Sequence, residues 1–465
     1  MHQSYDVAVV GAGPGGYVAA LRAAQLGLRT LLVERDSLGG ICLNWGCIPT
    51  KAMLEGAEVL HSCREASRYG VQVQGLSFDI AALVRHSRQV SDTLVRGIAY
   101  LLKKQGVDVL VGSARLSGKG LLEVDVDGRA QLIRARHIVL ATGARARALP
   151  GVDFGTPGIW SYREALRPAV LPQSLVIAGS GAIGSEFASL YNDLGVKVTL
   201  LERAARIMPL EDAEVSQFMR AQFEARGIEI HTGFSLDQAC ATDEGIECHL
   251  RREDGSRQSI TADRLLLAAG ISPNVEGLGL EQLGVAMEQG FIRVDCWGRT
   301  NVAGLYAIGD LAGGPCLAHK ASHEAVACIE HLAGVEGAEP LDRSLIPSCI
   351  YSRPQVASIG LTEEQARQQG RQVRIGRFSL QANGKALACG ETCGFVKTVV
   401  EADSGEILGA HLVGHGVTEQ IHVLALARQL EAGDEDLARM VFAHPTLSES
   451  IHESILHGLG QPLHQ

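Results

Sequence analysis

The 465-residue chain lacks a basic excess, an apolar run of membrane length and any metal-ligand spacing among its cysteines. Lysine and arginine number 42 against 52 acids, a formal charge of −10. Nucleic acid and anionic bilayers attract basic surfaces, so neither is an expected partner. No apolar run approaches the roughly 20 residues that cross a bilayer. The opening Met-His-Gln-Ser-Tyr-Asp leads straight into the apolar Val7 to Val10, without the charged and apolar stretches of an export signal. Eleven cysteines are present. An odd number, in a chain this long with no export pattern, is expected to be mostly reduced thiols, which places the protein in the cytoplasm. Low-complexity segments, charge blocks and long linkers are also missing, so the roughly three domains that the length suggests should pack closely.

Two glycine-rich turns stand out against this background. Val7 to Val10 reads as a strand, Gly11-Ala-Gly13-Pro-Gly-Gly16 as a turn, and Tyr17 to Leu26 as a helix. A second strand, Thr30 to Val33, ends at Glu34, the spacing of a βαβ dinucleotide-binding unit. The same grammar returns with the strand Leu175 to Ala178, the turn Gly179-Ser-Gly181-Ala-Ile-Gly184, a helix from Ser185, and Lys197 to Leu201 ending at Glu202. One such turn is a weak signal, because glycine turns recur in unrelated proteins. Two complete units with acids in place are a strong one. In each, the first glycine makes the turn, the second lets backbone approach a pyrophosphate, the third lets helix and strand touch, and the acid is placed to bind ribose hydroxyls. At Glu202 a carboxylate favours the free ribose of NAD over the 2′-phosphate of NADP, although Arg203 and Arg206 follow closely and admit a phosphate-binding reading.

Small residues end two later apolar strands, Leu140-Ala-Thr142-Gly143 and Leu266-Leu-Ala-Ala-Gly270, each expected to close a nucleotide domain. The apolar alternation near Phe395 to Val400 suggests an antiparallel sheet with helices. The expected fold class is α/β: two Rossmann-like domains, at 1–145 and 146–270, a central segment at 271–342, and an α+β C-terminal domain at 343–465.

Shortly behind the first turn comes Gly-Gly-Ile-Cys42-Leu-Asn-Trp-Gly-Cys47-Ile-Pro-Thr-Lys51. The two cysteines admit three readings: a structural disulfide, two unconnected thiols, or a redox pair. Gly39-Gly40 before them and Pro49 after them suggest a turn into a helix, whose N-terminal dipole is expected to lower a thiol pKa. The other nine cysteines, Cys389 and Cys393 included, read as bland thiols. Near the other end stands His444-Pro-Thr-Leu-Ser-Glu449, an imidazole with a carboxylate to orient it.

The run G-G-x-C-L-N-x-G-C-I-P-T-K resembles the pyridine nucleotide-disulfide oxidoreductases, and the similarity extends over nearly the whole chain. That resemblance implies a Cys42–Cys47 redox disulfide facing FAD, with Cys42 exchanging with substrate and Cys47 contacting the flavin. It implies that Lys51 lies near the flavin, paired with Glu186, and that Asp310, in the context Thr300 to Asp310, bonds the ribityl chain. Ala318 would sit near the flavin ring and Ala114 near the adenine. His444 and Glu449 resemble the family's base and its partner, which reach the cysteines of a second subunit, so a homodimer is expected. The implied activity is oxidation of dihydrolipoyl groups, carried on an acyltransferase subunit or a carrier protein, with NAD as acceptor. Two alternatives stay open on sequence: an NADPH-dependent disulfide reductase of the same family, and a non-catalytic flavin-bearing assembly subunit. The last residues carry no cysteine pair, which weighs against mercury and thioredoxin reductases.

Overall fold

In the computed structural model, residues 4–464 are described, and the chain divides into two compact units. The first gathers the chain up to Met53, Ala81–Arg147 and Ile271–Leu341; the second gathers Leu54–Ile80, Ala148–Gly270 and the chain from Asp342 on.

The first unit is built on a parallel core. Strand β1 (Ser4–Val10) lies between β2 (Thr30–Glu34) and the long strand β6 (Arg129–Leu140), with β3 (Asp108–Val111) at the edge beyond β2. Val7, Ala8, Val9 and Leu32 are fully buried, as expected of parallel strands covered on both faces. The first half of β6 runs antiparallel to β5 (Leu121–Val126), which pairs with β4 (Ser113–Gly118). The end of β6 takes up a parallel strand from much later in the chain, Leu305–Ala307, in register Leu305 with Ile138. A segment 167 positions downstream thereby completes the first sheet. Helix α1 (Pro14–Gln25) starts three residues earlier than the sequence pattern suggested, because Pro14 occupies the first turn, where its missing N–H costs nothing. Its buried face is Gly15, Gly16, Ala19, Ala20 and Ala23. These small residues let it approach both the sheet and the helix Ala318–Ala333, to which Arg22 is tied by an ion pair with Glu330 at 2.5 Å.

The second unit repeats the motif. Its five-stranded parallel sheet has the order Glu229–Thr232, Lys197–Glu202, Ser174–Ala178, Arg264–Leu267, Ile159–Trp160. The helix Ala182–Asp193 again begins three residues before its expected start at Ser185. A separate antiparallel sheet of five strands follows, with Phe395–Glu401 inside it. That strand is buried along almost its whole length, more than half-burial by alternation allows. Val396 and Val400 pack with Ile451 and Ile455 on one face, and Val399 packs with Ala366 and Leu408 on the other. The α/β class with an α+β C-terminal part is therefore the observed fold. Among the described residues no helix is long and apolar enough to cross a membrane.

Candidate active site

The first glycine turn is shaped by contact at three places. Gly11 has φ +99°, and a Cβ there would stand 2.4 Å from the Ala141 carbonyl oxygen. A Cβ on Gly16 would lie 1.8 Å from the Gly11 oxygen, so helix α1 can start only on a bare Cα. Around Gly13, by contrast, no atom lies within 4 Å of that position, which leaves its backbone open to an incoming group. Glu34, at the end of β2, accepts the Ala12 amide at 2.7 Å and the Asp36 amide at 2.8 Å. The amides at the mouth of α1 and this anchored acid suit a diphosphate and a ribose.

The cysteine segment is seated on that turn. Gly39 donates its amide to the Ala12 carbonyl at 2.8 Å, and a Cβ on Gly40 would come within 2.7 Å of the Gly13 Cα. Two glycines thus bring the short helix α2 (Gly40–Trp45) against the dinucleotide loop. Cys42 lies on α2, and Cys47 is the first residue of α3 (Cys47–Glu65). Both are half-buried thiols with no disulfide between them. Cys42 is not a thiol that a helix dipole lowers. Its pKa is pushed well above the ordinary thiol range, first by its hydrogen bond to Cys47, then by burial and by the Cys47 charge, with Lys51 opposing. In the dithiol state the proton therefore stays on Cys42, and the N-terminus of the longer helix belongs to Cys47. Asn44 holds α2 by donating to the carbonyls of Leu38 at 2.9 Å and Gly40 at 2.8 Å. Arg88 lies over the Trp45 ring at 5.0 Å and donates to the Asn44 carbonyl at 2.5 Å.

Asp310 sits in a short turn, Gly309–Ala312, that is gripped by one helix. Lys320, fully buried, donates to the carbonyls of Gly309 at 3.0 Å and Gly313 at 2.7 Å. Glu324 accepts the Gly309 amide at 2.9 Å and pairs with Lys320 at 3.0 Å. Burial raises the Asp310 pKa, and the Lys320 charge counters it. Ala318 opens the same helix. Thr142 donates to the Asn274 carbonyl at 2.8 Å, while Asn274 returns its side-chain amide to the Thr142 carbonyl at 2.9 Å and its backbone amide to Gly143 at 2.9 Å. Ala114 lies on β4 opposite Val124 and packs against the sheet core.

In the second unit the loop geometry recurs. Gly179 has φ +107° and would place a Cβ 2.4 Å from the Ala268 oxygen; a Cβ on Gly184 would lie 1.8 Å from the Gly179 oxygen; Gly181 is open. Glu202 accepts Ser180 Oγ at 2.6 Å, the Ser180 amide at 3.0 Å and the Ala204 amide at 2.8 Å. Gly270, at φ +103°, follows the strand Arg264–Leu267. Glu186 is buried on the dinucleotide helix and accepts the Tyr351 amide at 3.0 Å.

His444 and Glu449 are brought together as the sequence suggested. His444 Nδ1 lies 3.0 Å from Glu449 Oε1, and the other carboxylate oxygen takes the Thr446 amide at 2.8 Å. Burial alone would raise the Glu449 carboxyl, but the Thr446 amide and the imidazole hold it below its ordinary range. The His444 side chain is 78% exposed.

The first unit therefore collects Gly11, Gly13, Gly16, Glu34, Cys42, Cys47, Lys51, Ala114, Thr142, Gly143, Asp310 and Ala318. The second collects Gly179, Gly181, Gly184, Glu186, Glu202, Gly270, His444 and Glu449. Sequence reading passed over Glu324 and Asn274. For Glu324 a signal existed, since Lys320 and Glu324 stand four apart on a helix. Asn274 pairs with Thr142 only through the fold, and nothing local announces it. Among the described residues no cluster of His, Cys, Asp and Glu is arranged to hold a metal ion.

Comparison with known proteins gives a consistent picture. Residues 5–325 match the family model described as pyridine nucleotide-disulphide oxidoreductase, and residues 346–455 match that family's dimerisation domain. The chain is 49% identical to a dihydrolipoyl dehydrogenase of Zymomonas mobilis and 47% identical to one of Rhizobium etli, each covering all of both chains. A Bacillus subtilis dihydrolipoyl dehydrogenase is 41% identical, again over the full length of both. Among solved structures, LpdA of Mycobacterium tuberculosis superposes with a TM-score of 0.90 at 26% identity, over 98% of this chain and 99% of that one. The HOCl-induced flavoprotein disulfide reductase RclA of Escherichia coli gives 0.87 at 26% identity, over 97% and 99%.

Proposed function

Because the chain belongs to the pyridine nucleotide-disulphide oxidoreductase family, we propose that it oxidises protein-bound dihydrolipoyl groups with NAD through FAD and a Cys42–Cys47 disulfide. The observation that carries this reading is the hydrogen-bonded Cys42–Cys47 pair, seated by Gly39 and Gly40 against the first dinucleotide loop.

FAD, when bound, supplies two-electron exchange between a dithiol and a nicotinamide. The first loop, Glu34, Asp310, Ala114, Thr142 and Gly143 are the residues we assign to hold it, and Gly13 offers its diphosphate the open backbone it needs. Gly179, Gly181, Gly184, Glu202 and Gly270 are assigned to NAD. On this reading residues 1–145 form the FAD domain, 146–270 the NAD domain, 271–342 the segment completing the flavin site, and 343–465 the dimer-forming domain.

The thiol chemistry follows from the chain's own residues. One sulfur of the dihydrolipoyl group attacks Cys42 Sγ; the Cys42–Cys47 bond breaks, and Cys47 leaves as thiolate. His444, contributed by a second copy of the chain and oriented by Glu449, takes the proton from the attacking thiol. The second substrate thiol then displaces Cys42, closing the lipoyl disulfide. Two electrons have passed to the cysteines, one proton resides on Cys42, and the other is on His444. Lys51, one turn beyond Cys47 on α3, places a cation by the pair.

The partner is a lipoylated carrier or acyltransferase subunit, the assembly a homodimer, and the location cytoplasmic; the matched dimerisation domain supports the second of these. Anaerobic mixing with dihydrolipoamide, followed by NAD or NADP in parallel, tests the reading. A long-wavelength thiolate-to-flavin band and NADH formation alone are expected. No flavin reduction by dihydrolipoamide, with ready reduction by NADPH, would overturn it.

A further inference from the structure

Arg203 and Arg206 follow just past Glu202, the acid at the ribose end of the second dinucleotide site. A pair of guanidiniums is what a dianionic 2′-phosphate requires. Arg203 is exposed and has no ionic partner among the described residues. Arg206 is different. Its Nη1 donates to Glu364 Oε1 at 3.0 Å and its Nη2 to Glu364 Oε2 at 2.9 Å, a two-pronged pair with a residue 158 positions later.

The geometry around this pair restricts what Arg206 can do. Its segment is folded back on the glycine loop, with the Met208 amide bonded to Ser180 Oγ at 3.1 Å and to the Ser180 carbonyl at 3.2 Å. The guanidinium is thereby kept beside the loop but turned to Glu364. The other cations nearby are also taken. Lys397 pairs with Asp212 at 2.9 Å, Glu363 at 2.9 Å and Glu214 at 3.3 Å; Arg377 pairs with Glu214 at 2.7 Å and Arg367 with Glu363 at 3.0 Å.

We infer that Glu364 is a determinant of nucleotide specificity: it withholds Arg206 from a 2′-phosphate and so reinforces the exclusion begun by Glu202. This rests on the assignment of the second loop to NAD. Glu364 lies in the first turn of the helix Glu363–Gln368, but that helix is capped by Thr362 and Gln365, so replacing Glu364 leaves the cap whole. Without the Glu364 carboxylate the Arg206 guanidinium has both prongs open to a competing phosphate, and the carboxylate's repulsion of that phosphate is gone as well.

The test compares the wild type, Glu364→Ala and the double variant Arg206→Ala/Glu364→Ala as purified holoenzymes. Calorimetric titration with adenosine 2′,5′-bisphosphate and with ADP reads the ribose site without turnover, and steady-state KM and kcat for NADPH and NADH read it in catalysis. Glu364→Ala should bind the bisphosphate roughly tenfold tighter, equal to about 1.4 kcal/mol. Its KM for NADPH should fall in proportion, with kcat and the constants for ADP and NADH within about twofold. The double variant should lose the gain. If the wild type discriminates against NADPH but Glu364→Ala gains nothing, or the gain survives removal of Arg206, the masking role is wrong and the NAD assignment stands. If the wild type already prefers NADPH, the NAD assignment falls and the masking role with it.

Discussion

Lys320 and Glu324 grip Gly309 by its carbonyl and its amide, at 3.0 and 2.9 Å, and pair with each other at 3.0 Å. One turn of helix therefore fixes the two peptide units that flank Gly309, the second of which leads into Asp310. Lys320→Met removes the cation and leaves the Glu324 carboxylate, only 13% exposed, without it. Stability should fall by about 3–5 kcal/mol, in line with the cost of breaking a buried pair, and the purified protein should carry less flavin per chain. Lys320→Met/Glu324→Gln should recover much of the stability. Thermal denaturation and the ratio of flavin to protein absorbance check both; full flavin content in the single variant would count against the clamp.

His444 is exposed toward solvent and anchored from behind by Glu449. His444→Gln should lower turnover of dihydrolipoamide by roughly 100-fold, the ordinary contribution of a general base. Flavin reduction by NADH, which needs no base at that position, should be unchanged in stopped-flow traces. Equal loss in both half-reactions would assign the histidine a structural role instead.

The Cys42 thiol is raised chiefly by its neighbour's sulfur. In Cys47→Ala that hydrogen bond and charge vanish while burial and Lys51 remain. Alkylation of Cys42, followed by peptide mass spectrometry against pH, should move toward acid relative to the wild type. A profile that does not move would show that burial alone sets it.

Within the C-terminal sheet, His411 is buried and bonds the Leu361 carbonyl at 3.1 Å through Nε2. Burial lowers its pKa below the usual histidine value. The unfolded state then binds the extra proton below about pH 6.5, so the stability held above that pH is lost as pH falls through it. Urea unfolding between pH 7.5 and 5 should show this decline, and His411→Asn should flatten it even if its overall stability is lower.

The third glycine of each loop has no room for a side chain, with 1.8 Å to the Gly11 oxygen in one and to the Gly179 oxygen in the other. Gly184→Ala should abolish NADH oxidation while the protein keeps its flavin. Gly16→Ala should be purified nearly colourless. Absorbance spectra and nucleotide titration separate the two outcomes.

Much of this architecture could be read in advance where chemistry is local. Both βαβ units, the cysteine pair and the His444–Glu449 couple each lie within a short stretch whose spacing carries the geometry. Long-range pairings were not legible. Nothing near Leu305 says that it will join the first sheet beside Ile138, and nothing near Arg206 says that Glu364 will hold it. Nor does the strand Phe395–Glu401 announce that both its faces are covered, since the residues packed on them come from distant parts of the chain. Which of the two thiols meets the helix end was not legible either: the longer helix begins at Cys47, one short helix after Cys42.

The two glycine loops share three supports: a bare Cα at the crossing, an open middle glycine, and an acid that takes one amide of the loop and one two residues beyond itself. A socket of one gauge, installed twice, cannot sort its own ligands. Stripped of nucleotide, each chain should therefore saturate with two equivalents of ADP, of similar affinity. Sorting of flavin from nicotinamide is then the work of the flanking parts, the Gly309 grip at one socket and the guarded arginine at the other.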